Sequence, residues 1–400
     1  VNIFGYAASM APIYPLYIRD ENGNIRRDAQ GWKMYDYGNG RNGGFNRPNA
    51  PNSNALQLAT LDTGNDEGNQ FSGNGYAEVS FLKHFKASIN ASASVYEDRY
   101  TSQSNMFYGQ FAVNGGTLWK QHDRTFYFNF QQQLSYSQTF GDHTVSAMFV
   151  HENNYQSSTS VGAYKTKLFS HDTYELGGAV IDGQNASSSK SEYNNEGYLG
   201  QVQYDWKEQV FVSASYRRDA SSRFHPDHRW GNFWSAGAGW LMNKASWFNV
   251  SWIDLLKVKA SVGSLGNDSI GNYLYTDTYA VSNSDGEISV AFNTKGNEKI
   301  TWETITNFNT GIDVELLGGR LSGSIEYFYR KTKNMLYFFS VPSSLGYDGY
   351  YDNIGDMRNS GIELSGNAVF IDTKNVTWTG NLNITRYANK ITRLPEQNKK

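Results

Sequence analysis

The sequence predicts an all-β chain that forms part of an antiparallel transmembrane β-barrel, with about twelve strands, short periplasmic turns and long extracellular loops. Three observations predict this fold class. Apolar and polar residues alternate over long stretches, charged residues fall on one side of that alternation, and short connections alternate in order with long ones.

The alternation is clearest over residues 85–95, where every odd position is apolar and every even position is polar. Successive side chains of a strand point to opposite faces, so the apolar side chains of this segment share one face. The same pattern recurs over 256–262, 308–316, 321–327, 362–370 and 378–384.

Charged residues in these stretches occupy only the polar face; they are Lys86, Lys257, Lys259, Asp313, Glu315, Glu326 and Glu363. A Lys or Arg that faces lipid at mid-depth costs about 2–4 kcal/mol, so a membrane barrel must sort its charges in this way. A soluble sandwich with one wet face sorts them similarly. The predicted strand length of about ten to twelve residues favours the barrel, because strands of soluble domains cluster near five or six.

The connections alternate between short and long. Short ones are predicted near 141–143, 207–209, 318–319 and 373–375, and long loops near 97–123, 155–196, 219–231, 265–304 and 332–358. Outer-membrane barrels keep this order, whereas a soluble sandwich has no reason to do so.

The chain is predicted to divide into an extracellular loop region, residues 1–75, and barrel strands, residues 76–400. The first part is rich in Gly, Asn, Pro and Tyr and lacks strong alternation, and the first strand is predicted to begin at Tyr76. A connection this long without periodicity is usually functional or disordered. The prolines and tyrosines of residues 12–17 argue for order.

Composition excludes several classes of function. A net charge of −3 gives no reason to expect nucleic acid as a partner, and the absence of cysteine excludes disulfides, thiolate nucleophiles and Cys-ligated metals. Mean hydropathy is −0.60, and no apolar run is long enough for a membrane helix. The 28 Tyr, 23 Phe and 10 Trp nevertheless suit a barrel, whose strands carry aromatic girdles at both membrane interfaces.

No catalytic residue, cofactor or metal site is predicted. Phosphate-binding, nucleophile-elbow and zinc-protease motifs are absent from the sequence. Residues 20–24 and 62–68 are acidic enough to suggest calcium loops, and residues 225–228 contain two histidines. Each segment fits a polar turn or loop better, because the ligand spacing of a metal site is incomplete.

Aromatic residues outside the alternating stretches are the candidate substrate-binding residues. Their rings can stack on sugars or peptide side chains, although loop packing and membrane girdles use the same residue types. The candidates are Tyr14, Tyr17, Trp32, Tyr35, Tyr37, Tyr347 and Tyr350.

Segments in matching order resemble SusC/RagA-type TonB-linked outer-membrane proteins over roughly residues 195–395. They are residues 216–224, 229–240, 259–268, 301–311, 319–333 and 355–363, with looser similarity upstream at 11–17 and 36–38. The resemblance implies a barrel of about 22 strands with a plugged lumen. It further implies a plug domain and a TonB-contacting segment before Val1, and closing strands after Lys400.

The resemblance also implies a function: TonB-dependent import of oligosaccharides or peptides through the outer membrane of a Gram-negative, Bacteroidota-like bacterium. The implied partners are a SusD-like surface lipoprotein, TonB, outer-membrane lipid and the substrate. Two alternatives remain open at this point. One is an outer-membrane porin or adhesin without energy coupling, and the other is a soluble carbohydrate-binding β protein.

Overall fold

The computed structural model describes residues 5, 8, 10–29, 31–49, 52–183 and 186–394. The C-terminal residues 395–400 and the first four residues, which bear on the expected flanking segments, lie outside the described part. Helical structure within it is short: α1 spans Ala55–Thr60. Single 3₁₀ turns lie at Arg41–Gly43, Ala112–Asn114, Leu176–Gly178, Met242–Lys244 and Ser343–Leu345. No helix of the described residues has the length and apolarity needed to cross a membrane.

Strands make up most of the described chain. Their bounds are β1 Thr63–Phe81, β2 Phe85–Ser104, β3 Thr117–Phe140, β4 His143–Leu168, β5 Ala179–Asp182, β6 Ser187–Trp206, β7 Val210–Ser221, β8 Trp230–Leu241, β9 Ile253–Asn267, β10 Thr278–Ser284, β11 Glu287–Thr294, β12 Glu303–Leu316, β13 Leu321–Lys333, β14 Leu336–Ser340, β15 Gly349–Asn353, β16 Asp356–Asp372 and β17 Thr377–Arg393.

One antiparallel sheet contains most of these strands, in the order β1-β2-β3-β4-β6-β7-β8-β9-β12-β13-β16-β17. β5 pairs with β4 as a thirteenth strand, while β10–β11 and β14–β15 form two separate hairpins. Each long strand therefore pairs with the next one along the chain. The predicted all-β antiparallel fold with about twelve barrel strands is confirmed.

Connections differ in length between the two ends of the sheet. Those at one end span 82–84, 141–142, 207–209, 317–320 and 373–376, with a longer one at 242–252. Those at the opposite end span 105–116, 169–186, 222–229, 268–302 and 334–355. The predicted alternation of short and long connections is confirmed, and we call these the short-turn end and the long-loop end.

Strand length was underestimated from the sequence. β3 has 24 residues and β4 has 26, and β1 begins at Thr63 instead of Tyr76. The predicted loops are correspondingly too wide, and most of the segment 62–68 is strand. The physical reason is that alternation appears only where one face meets lipid. A strand that continues into water keeps its backbone hydrogen bonds without needing an apolar face.

The register confirms that charge is sorted by face. Gly311 on β12 lies opposite Lys259 on β9 and Glu326 on β13. The Lys259 ammonium forms ion pairs with Glu326 and, at 2.9 Å, with Asp313. A Cβ at position 311 would lie 2.8 Å from Cγ of Glu326. Because Gly311 has no side chain, the Lys259 side chain can cross β12 and reach Glu326.

The opposite face of the same strands is apolar. Ile312 pairs with Ile325 in the register, and their side chains are 40% and 49% exposed. Exposed aliphatic side chains in adjacent strands are what a lipid-facing surface requires. The alternation predicted over 308–316 and 321–327 therefore separates a charged face from an apolar one.

Aromatic residues concentrate at two levels along the strands. Near the short-turn end, Phe85 packs on Tyr136 with ring centroids 4.9 Å apart. Farther up, Tyr198 packs on Trp230 at 6.3 Å. The stretch of β6 from Tyr198 to Trp206 covers about 27 Å of strand, or roughly 20 Å of membrane thickness at a tilt near 40°. This separation is close to the apolar band of about 25 Å expected between two aromatic girdles.

The chain divides into two compact units. The first unit comprises Val1–Ser72, Ser94–Tyr127 and Ser157–Ser191, and its buried cluster contains Leu118, Leu168 and Ala179. The second unit comprises Gly73–Ala93, Phe128–Gln156 and Glu192–Lys400. Its buried cluster contains Phe224, Phe233, Ile300 and Trp302, so the long loops near 222–229 and 268–302 contribute to a packed core.

Candidate functional site

An eight-residue repeat organises the N-terminal part of the first unit. Asp20, Asp28 and Asp36 recur at a spacing of eight residues, and Arg-Asp at 19–20 and 27–28 is followed each time by a glycine three residues after the aspartate. Gly23 and Gly31 have φ of 82° and 87°, a conformation that glycine adopts at low cost. We call residues 17–40 the repeat module; Gln30 within it lies outside the described residues.

Each aspartate of the repeat holds a turn. The Asp20 carboxylate accepts hydrogen bonds from the backbone amides of Asn22 and Asn24, at 3.0 and 2.8 Å. The Asp28 carboxylate accepts a hydrogen bond from the amide of Trp32 at 2.8 Å. The Asp36 carboxylate accepts one from the amide of Gly38 at 2.7 Å. Side chains of Asp commonly close turns in this way. The segment 20–24 is a Gly/Asn turn, as the sequence predicted.

Three extended segments of the repeat module pair with one another in a closed triangle. The amide of Ile18 donates to the carbonyl of Met34 at 2.9 Å, that of Arg26 to the carbonyl of Ile18 at 2.9 Å, and that of Met34 to the carbonyl of Arg26 at 3.0 Å. Backbone groups that pair internally leave few polar groups for outside partners. The module is therefore ordered by its own hydrogen bonds.

A cavity of about 910 Å³ opens beside the repeat module. This aromatic cavity is lined by Arg27, Trp32, Lys33, Tyr35, Phe107 and Tyr108, together with Asp28, Leu61, Asn105 and His171. All of these residues belong to the first unit. Four aromatic rings and a small set of polar groups around one concavity are typical of a ligand pocket.

Aromatic contacts and one short hydrogen bond hold the cavity wall together. The ring of Tyr35 lies 5.3 Å from that of Tyr17 and 6.4 Å from those of Tyr37 and Tyr108. The hydroxyl of Tyr108 donates to the Asp28 carboxylate at 2.5 Å. Burial, and then this hydrogen bond, raise the pKa of Tyr108 to about 12. Tyr108 therefore stays neutral and acts as a donor at physiological pH.

Polar residues beside the cavity are hydrogen-bonded to one another. Gln57 of α1 is 1% exposed, and its side-chain amide donates to the Asp62 carboxylate at 2.9 Å. Asp62 also accepts from the backbone amide of Asn105 at 2.9 Å. Burial raises the pKa of Asp62 above its usual value, even though both hydrogen bonds lower it. Because a half-buried carboxylate needs such partners, the hydrogen bond from Asn105 fixes loop 105–116 against the residues that precede β1.

A cap on α1 ties the same helix to the repeat module. The Asn54 side chain accepts from the amides of Leu56 and Gln57, as an N-cap does. Its amide group also donates to the carbonyls of Leu16 and Asp36, both at 2.8 Å. One buried side chain thus orients both the helix and the module.

The structure brings together four of the seven candidate binding residues. Trp32 and Tyr35 line the aromatic cavity, and Tyr17 and Tyr37 pack on or near Tyr35. Burial raises the pKa of Tyr37 well above its ordinary value. The cluster therefore combines exposed and partly buried rings.

The other three candidates lie elsewhere. Tyr14 packs on Phe45 at 6.3 Å, within the first unit. Tyr347 and Tyr350 belong to the second unit, where they pack on Phe292 at 5.8 Å and on Phe339 at 5.6 Å, respectively. These two tyrosines pack against residues of the β10–β11 and β14–β15 hairpins, and they do not line the aromatic cavity.

Sequence reasoning missed Asp28, Phe107 and Tyr108. The eight-residue repeat is a signal that could have found Asp28, because it marks the aspartates as turn residues of one module. Phe107 and Tyr108 carry no comparable signal. They come from a loop that follows two long strands, and only tertiary structure brings them to the module.

The polar segments weighed as metal sites do not gather ligands. In the part of the chain that the structure describes, no three His, Asp or Glu side chains are placed to hold a metal ion together. The rings of His225 and His228 lie 6.5 Å apart, and the nearest acidic partner of His225 is Asp227 at 3.5 Å. Asp66 and Glu67, predicted to be loop residues, lie in strand β1.

A second cavity, of about 650 Å³, lies on the charged face of the sheet within the second unit. Its floor is formed by small residues such as Ser213, Gly237 and Ser261, and its charged groups include Lys259 and Glu326. Charged groups among small side chains are what the lumenal face of a barrel is expected to carry.

Comparison with known proteins agrees with this architecture. Residues 15–399 match the family model described as TonB dependent receptor-like, beta-barrel. The TonB-dependent receptor SusC of Bacteroides thetaiotaomicron is 27% identical over 375 residues, which are 88% of this chain and 36% of that protein. The TonB-dependent receptor P3 of Formosa agariphila is 28% identical over 354 residues, 86% of this chain and 35% of that protein.

Solved structures share the fold. The RagAB peptide transporter matches with a TM-score of 0.82 at 23% identity, over 88% of this chain and 40% of that one. The RagAB peptide importer in its closed-closed state matches with a TM-score of 0.81 at 22% identity, over 94% of this chain and 40% of that one. The chain spans about a third of the length of the curated relatives that it matches.

The family match covers nearly the whole chain, and most strands of the described residues belong to one antiparallel sheet. Receptors and transporters, not enzymes, make up this family. The chain belongs to the TonB-dependent receptor-like β-barrel family and is an outer-membrane protein.

Proposed function

We propose that the protein is the barrel part of a TonB-dependent importer that moves oligosaccharides or peptides across the outer membrane. Family membership supports energy-coupled uptake, and the relatives named above are a receptor, SusC, and a peptide transporter, RagAB. The mechanism in this chain is binding and passage. Charged and small residues of the second unit form one concave surface, and aromatic residues of the first unit form the other.

Residues 1–62, the part of the predicted loop region 1–75 that precedes β1, are proposed to lie on the extracellular side. β1 runs towards the short turn 82–84, so the residues before Thr63 join the sheet at the long-loop end. In outer-membrane barrels the long loops are extracellular and the short turns periplasmic. The aromatic cavity is built from these residues and from loops 105–116 and 169–186, which leave the sheet at the same end.

The proposal that this cavity contacts the substrate rests on the proximity of four aromatic residues, Tyr17, Trp32, Tyr35 and Tyr37. Four candidates chosen from sequence because of their ring chemistry meet beside one concave surface. Trp32 is 64% exposed, so its ring does not serve to fill a core. An exposed aromatic ring at the edge of a cavity suits stacking on a ligand.

Replacing Trp32 by Ala in the full-length protein is expected to lower substrate uptake about tenfold or more, since stacking on one aromatic ring contributes roughly 1–3 kcal/mol. Surface display should be unchanged because the ring is exposed. Uptake of labelled substrate and surface labelling measure the two effects separately. Trp32→Phe, which keeps a ring, should restore most of the uptake. Normal uptake by Trp32→Ala would contradict a substrate role for the cavity.

We further propose that a SusD-like lipoprotein docks on the β10–β11 hairpin, which leaves the sheet at the long-loop end. Val281 and Val290 lie opposite each other in the register and share one face, and Ile288 lies two positions along. Val281 and Ile288 are 70% and 80% exposed. An exposed apolar surface of this kind on an extracellular hairpin supports docking of a protein partner.

The double variant Val281→Asp/Val290→Asp is expected to reduce co-purification of the lipoprotein several-fold, because docking would bury two unpaired carboxylates. Affinity purification of the full-length protein, with quantification of the lipoprotein, makes the measurement. Ser282→Asp, on the other face of the hairpin, is the matched control. If the lipoprotein co-purifies with the double variant as well as with the wild type, the hairpin is not part of the interface.

A further inference from the structure

Two cations line the aromatic cavity without a carboxylate partner. Arg27 and Lys33 face each other across an antiparallel bridge of the repeat module. Arg27 donates to the carbonyl of Gly31 at 2.6 Å, and the Lys33 ammonium lies 5.4 Å from the centroid of the Tyr17 ring. Within the described ranges, neither cation forms an ion pair. The carboxylate nearest in sequence, Asp28, instead accepts the hydroxyl of Tyr108.

Aromatic rings flank these two cations. Phe107 is 65% exposed, and Trp32 is exposed to a similar extent, and both line the cavity. The flat faces of such rings accept the apolar C–H faces of sugar rings, and two neighbouring cations attract an acidic group. The combination therefore matches a ligand that has both ring faces and negative charge.

Part of the backbone that lines the cavity is already hydrogen-bonded within the repeat module, so it is not available to a peptide. Extended peptides usually bind by adding a strand to a sheet edge, where main-chain groups supply the affinity. Among the module residues that line the cavity, the amides of Asp28 and Trp32 are already paired, with the Trp32 carbonyl and the Asp28 carboxylate. The module presents side chains to its cavity, which favours recognition of a glycan over recognition of a peptide main chain.

We propose that the aromatic cavity binds an anionic oligosaccharide, whose carboxylate or sulfate group is held by Arg27 and Lys33 while its sugar rings stack on Trp32 and Phe107. This inference rests on the proposed function in one respect, that the cavity contacts substrate. It adds the charge and the chemical class of that substrate.

The repeat supplies a matched control within the same chain. Arg19 occupies in the first repeat the position that Arg27 occupies in the second, and it donates to the carbonyl of Gly23 at 2.7 Å. The two arginines therefore stabilise equivalent turns. Only Arg27 lines the cavity, so a difference between Arg19→Gln and Arg27→Gln reports binding and not turn stability.

The test uses the full-length protein, purified in detergent, and isothermal titration calorimetry. The probes are tetragalacturonate, its carboxyl-reduced counterpart, a sulfated galactan tetrasaccharide, its desulfated counterpart and tetraglutamate. Wild-type protein is expected to bind at least one acidic sugar about tenfold more tightly than its neutral counterpart. Arg27→Gln and Lys33→Gln should each weaken that binding about tenfold, and Arg19→Gln should leave it unchanged. The carboxylate and sulfate arms identify the acidic group.

Three results would overturn the inference: neutral sugars bound as tightly as acidic ones, tetraglutamate bound more tightly than any sugar, or failure of every acidic sugar to bind. Equal effects of Arg19→Gln and Arg27→Gln would also overturn it, because they would indicate a structural role only. Uptake separates this failure from that of the importer proposal. If uptake still depends on TonB and on Trp32, the proposal of an importer is retained and only the proposal of an anionic substrate is rejected.

Discussion

Ile312→Arg is expected to reduce assembly of the full-length protein in the outer membrane by more than about tenfold. The Ile312 side chain lies on the apolar face of β12, beside Ile325 of β13. A lipid-facing arginine near the midplane costs about 2–4 kcal/mol, which corresponds to a factor of roughly thirty to several hundred. No acidic side chain on that face offsets this cost in the register of β12 with its neighbours.

The matched control is Asn309→Arg, three residues away on the same strand. Asn309 lies on the charged face and borders the 650 Å³ cavity together with Glu326, so an arginine there has both space and a carboxylate nearby. Assembly is measured as surface-labelled protein and as the heat-modifiable band in gel electrophoresis. Equal loss for both variants would mean that the two faces have been assigned the wrong way round.

The 400-residue chain, expressed without further sequence, is expected not to form a heat-stable membrane barrel. Within the described residues β1 pairs only with β2, and β17 only with β16, so each has one unpaired edge. A backbone N–H or C=O left unpaired in hydrocarbon costs several kcal/mol. A few such groups together exceed the 5–15 kcal/mol of net stability that is typical of a folded protein.

Refolding into detergent micelles, followed by electrophoresis with and without heating, provides the measurement. The full-length protein under the same conditions is the control, because it should show a fast-migrating band that heating converts. A monomeric 400-residue species with heat-resistant β structure would contradict the prediction. An oligomer would show that other chains cover the open edges.

The sequence by itself determined the strands and the faces that cross the membrane. Over 308–316 and 321–327, a period of two placed Ile312 and Ile325 on one face and Asp313 and Glu326 on the other, and the register confirms both assignments. This inference succeeds because lipid on one face and polar surroundings on the other impose a pattern that the residues themselves must carry. The order of short and long connections is a similarly local property.

Tertiary structure decided where the strands end and which loop residues meet. β1 begins at Thr63, in a segment without apolar alternation, because pairing with β2 is sufficient to extend it in water. Asp28 and Tyr108 meet through a hydrogen bond between segments 80 residues apart, and no local pattern records such a contact. The sequence therefore predicts only part of the aromatic cavity. The repeat marks its turn residues, whereas Phe107 and Tyr108 reach it through packing between distant segments, which depends on the whole chain.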